Sequence, residues 1–239
     1  IKMPYTKRID GRKFDELRPI RAEAGIIPNA DGSALFAFGD TVAIAAVYGP
    51  RRLHPAHMKK PDRLIVRCEY NMLPFSVAER AKPGPNRRSK EISMITANAL
   101  SSAVDINKFP GTVIDVQIMI LQANASTRCA GINAASMALA HAGVVMKEMI
   151  SSVSIGKIDD KIVTDIIKEE EDWEEGEGAT DIPFSMTSNN KEIVHLQLDG
   201  KISTKRFKEA VEAAKKACEK ILEYQKRALK GEKINENKK

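Results

Sequence analysis

Cysteine is scarce in this chain of 239 residues: Cys68, Cys129 and Cys218 are odd in number, far apart and without a C-x-x-C pair. That excludes a disulfide-stapled scaffold and a zinc ribbon, and it reads as buried, reduced thiols of a cytoplasmic protein. Uninterrupted apolar runs of membrane-spanning length are missing too. The one long apolar stretch, around residues 129–142, carries Asn133 and His141, so no membrane partner is expected. The opening Ile1-Lys2-Met3-Pro4 lacks the apolar core of a secretory signal. There is no Walker A loop, no G-x-S-x-G elbow and no zinc-finger spacing, which removes the commonest nucleotide, acyl-transfer and zinc chemistries. His54-Pro55-Ala56-His57 lacks a companion ligand cluster, so no metal site is assigned. No internal repeat and no clear linker divides the chain.

With 43% hydrophobic and 29% charged residues the chain is ordinary globular material. Its net charge of +6 hides an asymmetry. Eight of the 32 carboxylates lie between Glu169 and Asp181, where there is no Lys or Arg; the rest of the chain has 38 basic against 24 acidic groups. A basic body with one acidic strip suits a polyanion partner and a localised acidic site.

The chain is organised around residues 113–143. Val113-Ile114-Asp115-Val116-Gln117-Ile118-Met119-Ile120-Leu121 reads as a mostly buried strand. Cys129 to Ala142 is almost wholly small or apolar and predicts a buried helix stopped by Gly143. Between them, Ser126-Thr127-Arg128 falls at the helix start. A hydroxyl there can simply cap the helix. Arg128, however, is a cation in a first turn, where it opposes the helix dipole unless an anion is bound. Arg87-Arg88, after the candidate cap Asn86, repeats the pattern at a second helix running to about Val104, with Ile92, Ile95, Ala99 and Ala103 on one face.

Elsewhere the spacing predicts an antiparallel meander: a strand over 18–27, Asp31-Gly32 as a turn, Ala34 to Phe38, the Gly39-Asp40 turn, and Thr41 to Tyr48 ended by Gly49-Pro50. A basic loop (Arg51, Arg52, His54, His57, Lys59, Lys60, Arg63) precedes a strand over Leu64 to Met72. Further strands are expected over Lys161 to Ile167, Ile182 to Thr187 and Glu192 to Leu198. Ser203 then caps an amphipathic helix with Phe207, Val211, Ala214, Cys218, Ile221 and Leu222 inward. Residues 1–6 are expected as a loose arm, 7–229 as one α+β domain, and 230–239 as a disordered tail.

Carboxylates beside an anion site are the ingredients of phosphoryl transfer: Arg neutralises phosphate, while an Asp protonates a leaving alkoxide or holds a divalent metal. Glu169, Glu170 and Glu174 are expected as exposed turn. Asp181 begins an apolar strand beside Pro183, where an unpaired charge is expensive without a task.

Taken in order, Asp10-Gly11-Arg12, Asp31-Gly32-Ser33-Ala34, Tyr48-Gly49-Pro50, Pro61-Asp62-Arg63, Pro85-Asn86-Arg87-Arg88, Leu121-Gln122-Ala123, Ser126-Thr127-Arg128, Ala142-Gly143 and Asp181-Ile182-Pro183 resemble the RNase PH-like phosphorolytic exoribonucleases. The likeness spans roughly residues 8–229. Tyr48-Gly49-Pro50 with the His54 to His57 loop favours the branch of the catalytic archaeal exosome subunit over bacterial RNase PH.

The resemblance implies an α+β fold of the RNase PH type (ribosomal protein S5 domain 2-like), with mixed sheets packed with helices. It implies a subunit that alternates with an inactive RNase PH-like partner in a trimer-of-dimers hexameric ring under RNA-binding cap proteins. Single-stranded RNA would be shortened from its 3′ end by inorganic phosphate as co-substrate, releasing nucleoside diphosphates, with RNA tailing as the reverse reaction. Ser126, Thr127 and Arg128 would hold phosphate, and Arg87 and Arg88 the RNA. Relatives' channel-neck Arg falls on Ala56, leaving Arg51, Arg52, Lys59 or Lys60 to replace it. Asp181 would be one catalytic acid and Asp172 the other, with Glu171 and Glu175 open, because relatives space the pair six apart and Asp172 and Asp181 are nine apart. Mg²⁺ at these acids is left open. The relatives' Asp-Gly or Ala-Gly before the hydroxyl-Arg unit is Asn124-Ala125 here. A non-catalytic RNA-binding ring subunit, and a homohexameric tRNA 3′-trimming enzyme of the bacterial type, are the alternatives.

Overall fold

Turn dipeptides and alternating apolar residues set the first half. In the computed structural model, which describes residues 5–173, 176 and 178–236, β1 (Ile20–Ala24), β2 (Gly32–Phe38) and β3 (Thr41–Arg52) form an antiparallel meander. β3 continues past Gly49-Pro50, because a register shift between Tyr48 and Arg51 lets it stay paired with the following sheet partner. β4 (Ile65–Met72) then leads through α1 (Arg87–Ala103) to β5 (Thr112–Gln122), which lies parallel to β4 and antiparallel to β3. At the start of α1, Asn86 Oδ1 accepts from the Ser89 N–H at 2.7 Å and Ser89 Oγ accepts from the Asn86 N–H at 2.8 Å, a reciprocal cap.

α2 (Thr127–His141) follows, then β6 (Ile150–Ile158), β7 (Lys161–Thr164), the single turn α3 (Lys168–Glu171), β8 (Ala179–Thr187), β9 (Ile193–Leu196), α4 (Thr204–Leu229) and β10 (Ile234–Asn235). The strands make two sheets, ordered β10-β1-β2-β3-β5-β4 and β7-β6-β8-β9. α2 lies between them and touches both. Its small residues make this possible: a Cβ on Gly32 would collide with the backbone of Ala138 and Ala142. One buried cluster joins residues of both sheets, from Ile20, Phe36 and Ile118 to Ile155 and Phe184, with Ile221 of α4. Asn133, buried in α2, is matched on both amide ends to the Ser152 backbone at 2.8 Å. Cys68, Cys129 and Cys218 are buried and free.

Three local readings are corrected. β7 ends at Thr164, short of Ile167, because Asp165 turns the chain with φ +56°. The tail does not leave the fold at 230: Ile234 and Asn235 pair with Ala22 and Arg21, and the Glu236 carboxylate accepts from the Ile20 N–H at 2.8 Å and the Tyr224 hydroxyl at 2.6 Å. The arm is anchored as well, for Tyr5 is buried and its hydroxyl donates to Glu170 Oε1 at 2.6 Å. Residues 1–4 and 237–239 lie outside the described residues. No helix among the described residues is long and apolar enough to cross a membrane.

Candidate active site

A cleft of about 490 Å³ opens where β5 hands over to α2, walled on its other side by β6 and β8. Its lining includes Arg88, Ser126, Thr127, Arg128, Lys168, Glu171 and Asp181. Arg88 and Asp181, 93 positions apart in sequence, thus meet because both sheets pack on one helix.

The floor is the start of α2. Ala125 (φ +54°) and Ser126 (φ +52°) are both left-handed before the helix begins. Consecutive turns of this kind, followed by a helix, form a concave backbone suited to an anion. Ser126 is not a capping hydroxyl: its Oγ lies 3.3 Å from Asp165 Oδ1 and 3.3 Å from the Ile166 carbonyl, and no side chain among the described residues caps the helix. The helix end keeps its unpaired N–H groups for a ligand. The loop is pinned from behind by Thr41, Arg18 and Asp165, the last held well below the usual carboxylate range because the Arg18 and Arg12 guanidiniums outweigh its burial.

Arg128 donates to Gln197 Oε1, and neither it nor Arg88 has a carboxylate partner among the described residues. These are the cations that an incoming anion would satisfy. Arg87 is exposed beside Arg88 but does not line the cleft. Lys59 and Lys60 are exposed elsewhere: Lys59 lies against Gly111, just before β5, whereas Ser126 lies just after it. The eleven residues of β5 separate the two ends by roughly 35 Å. At that far end Arg51 and Arg67 share Asp115, at 2.5 and 2.6 Å, which leaves the trio one positive charge.

Asp181 reaches the cleft because β8 pairs antiparallel with β6. Gly156 stands opposite Asp181 and Ser154 opposite Pro183, so Ser154 and Asp181 are diagonal neighbours on one face, and Ser154 Oγ donates to Asp181 Oδ1. Burial pushes the Asp181 carboxyl up to about 6, with Glu171 and Asp199 adding to the rise and Ser154 and Arg128 opposing it. A carboxyl in that range can hold or release a proton near neutral pH.

The acidic strip separates into different jobs. Glu170, expected as exposed turn, is fully buried and held by Arg8 at 2.8 Å and by Tyr5. Glu171 lines the cleft. Asp172 is not part of the lining; its exposed carboxylate pairs with Lys168 Nζ at 2.7 Å. Glu174 and Glu175 lie outside the described residues. Trp173 packs edge-on against Tyr5, ring centres 5.3 Å apart, fixing the strip to the body just beyond Asp172. No three His, Cys, Asp or Glu groups converge on a metal position among the described residues. Asp181 and Glu171 nevertheless fit Mg²⁺, which needs only one or two carboxylates beside substrate phosphate.

Comparison with known proteins decides what this arrangement belongs to. Residues 16–145 match the 3′ exoribonuclease family, domain 1, and residues 148–217 match domain 2 of the same family. The chain belongs to the 3′ exoribonuclease family. As a member it resembles "Exosome complex component Rrp41" of Methanopyrus kandleri, 48% identical over 223 residues that cover 93% of this chain and 92% of that protein. The protein of the same name from Thermococcus kodakarensis is 50% identical over 224 residues, covering 94% and 88%. The RNase PH-like fold of this family member is shared with rice Rrp46, at a TM-score of 0.82 and 23% identity, covering 93% and 100% of the two chains. It is shared also with a chain of the Archaeoglobus fulgidus exosome with RNA bound to the active site, at 0.77 and 24% identity, covering 92% of each.

Three residues at or beside the cleft had no sequence signal. Ser154 sits inside a wholly buried strand, Lys168 precedes a run of acids, and Gln197, the Arg128 partner, follows β9. Ser154 and Gln197 are brought in by pairing in the second sheet, and Lys168 by α3, whose first N–H donates to Asn124 Oδ1; a linear reading registers neither.

Proposed function

We propose that this chain is the catalytic subunit of an exosome ring of the archaeal kind, a phosphate-dependent 3′→5′ exoribonuclease acting on single-stranded RNA. The observation that carries this is the raised carboxyl of Asp181 sharing a cleft with Arg128 and the uncapped start of α2. In the reading, Ser126, Thr127 and Arg128 bind inorganic phosphate, and Arg88, with Arg87 beside it, neutralises the RNA backbone. A phosphate oxygen attacks the last internucleotide phosphorus, the bond to the preceding 3′-oxygen breaks, and the departing oxygen takes its proton from Asp181. The products are a nucleoside 5′-diphosphate and RNA one residue shorter; excess diphosphate drives the reverse, tailing reaction. As an alternative to proton donation, ionised Asp181 with Glu171 would hold Mg²⁺, which when bound would neutralise charge on the leaving oxygen in place of the proton. The basic far end of β5, with Lys59, Lys60, Arg51 and Arg52, lies on the path of the RNA, where a long-range positive field guides a polyanion. The relatives' name, exosome complex component, supports assembly with other subunits; in the reading these are an inactive RNase PH-like partner alternating in the ring and RNA-binding caps, and the buried free thiols suit the reducing cytoplasm.

The test is product analysis on the chain assembled with such a partner. Nucleoside diphosphate release that rises with phosphate supports the reading, whereas phosphate-independent monophosphate release, or none, overturns it. The second acid is separated in the same assay. Glu171 faces the cleft, so Glu171→Gln should lower turnover by about 100-fold. If Asp172→Asn alone has that effect, Asp172 holds the role that the resemblance assigned to it.

A further inference from the structure

We propose that Thr41, backed by the buried Arg18–Asp165 ion pair, is a positioning residue that presets the phosphate loop, an inference that rests on the phosphate-binding reading above. Thr41 does not line the cleft. It is fully buried at the start of β3, and its hydroxyl meets the loop backbone from behind. Thr41 Oγ1 accepts from the Asn124 N–H at 2.9 Å and lies 2.8 Å from the carbonyls of both Asn124 and Ala125, to one of which it donates. Arg18 Nη1 donates to the same Asn124 carbonyl at 2.6 Å, while Arg18 Nη2 meets Asp165 Oδ1 at 2.6 Å. Asp165 Oδ1 in turn lies 3.3 Å from Ser126 Oγ. Every residue of the Asn124-Ala125-Ser126 loop is therefore held by Thr41, Arg18 or Asp165, none of which lines the cleft.

The reason such holding is needed is conformational. Ala125 and Ser126 are both left-handed and neither is glycine, so an untethered loop would relax toward ordinary backbone angles. A loop kept in place by buried groups binds its anion without first being ordered, and the saving appears as affinity. The contacts run through backbone atoms of residues 124 and 125, which explains how Asn-Ala can stand where relatives carry glycine.

The experiment uses the assembled ring and measures initial rates against inorganic phosphate. Thr41→Val keeps the shape and removes both hydrogen-bonding roles. It should raise the KM for phosphate about 10-fold while the kcat at saturating phosphate and the Kd for RNA stay within about twofold, and Thr41→Ser should restore the KM. Arg18→Lys keeps the charge but cannot span Asp165 and Asn124 together, and should move the KM the same way. A merely structural role would lower the active fraction and so the apparent kcat, leaving the KM alone. Folded Thr41→Val or Arg18→Lys enzyme with an unchanged KM, or a Thr41→Ser enzyme as impaired as Thr41→Val, overturns the proposal. So does failure of both Thr41→Val and Arg18→Lys to fold, which would assign the cluster to folding. A wild-type ring whose rate does not depend on phosphate overturns the functional reading itself.

Discussion

Asp181 is stabilised poorly in the form that the chemistry uses least. Its folded carboxyl titrates near 6 against an ordinary value of 3.8, so the folded state binds its proton more tightly than the unfolded chain does. The stabilising contribution is full below about pH 4, falls as pH rises to about 6, and is lost above it. A shift of that size is worth on the order of 3 kcal/mol. Asp181→Asn removes the charge and keeps an acceptor for Ser154. Above pH 7 the variant should be the more stable protein by up to that amount, with the gap closing toward pH 4, while turnover falls by about 100-fold. Denaturant melts across pH, run beside the rate assay, check both halves; a variant with near-normal turnover would remove Asp181 from the mechanism.

Among the elements, α1 tests the dipole argument. Arg87 and Arg88 both occupy its first turn, and only Arg88 reaches the cleft lining. Each phosphate contact to a single strand contributes about 0.7 to the logarithmic salt slope. Arg88→Glu should therefore weaken RNA binding and reduce the slope by about that much, and Arg87→Glu by less. An unchanged slope for Arg88→Glu in titrations across salt would take α1 off the RNA path. α3 makes a different point. Its four residues, Lys168–Glu171, send Glu170 into the interior and Glu171 to the cleft. A run of like residues reads as one exposed stretch, yet one helical turn separates their directions by about 100° per residue.

At the scale of the molecule, one covered helix between two sheets leaves outer edges and apolar groups unfilled. β9 is an edge strand with Ile193 and Leu196 exposed, and Phe75 is 74% exposed on the loop after β4, whose Val77 and Ala78 line the cleft. Exposed edges and apolar groups of this kind call for a partner. The purified chain alone should accordingly degrade RNA far more slowly than the same chain mixed with the partner subunit proposed above, compared by time courses at equal active-site concentration. Full processive activity of the isolated monomer would refute that.

The central strand, the buried Ala-rich helix, both helix caps and the cation-bearing start of α2, proposed above to bind an anion, were legible in the sequence, since each depends on neighbours within a few residues. Periodicity, capping groups and the helix dipole are local physics. Ser126, Thr127, Arg128, Arg88 and Asp181 could therefore be picked out before any coordinates, the last by resemblance and by the cost of a charge opening an apolar strand. Only the tertiary structure decided which acids face inward, which hydroxyls hold the loop, and that the tail and Tyr5 join the body. Arg8 and Glu170 are 162 positions apart, Arg18 and Asp165 are 147 apart, and Thr41 and Asn124 are 83 apart. Such pairs are selected by strand register and by how two sheets close over α2, and a residue's own neighbours in sequence carry no record of either.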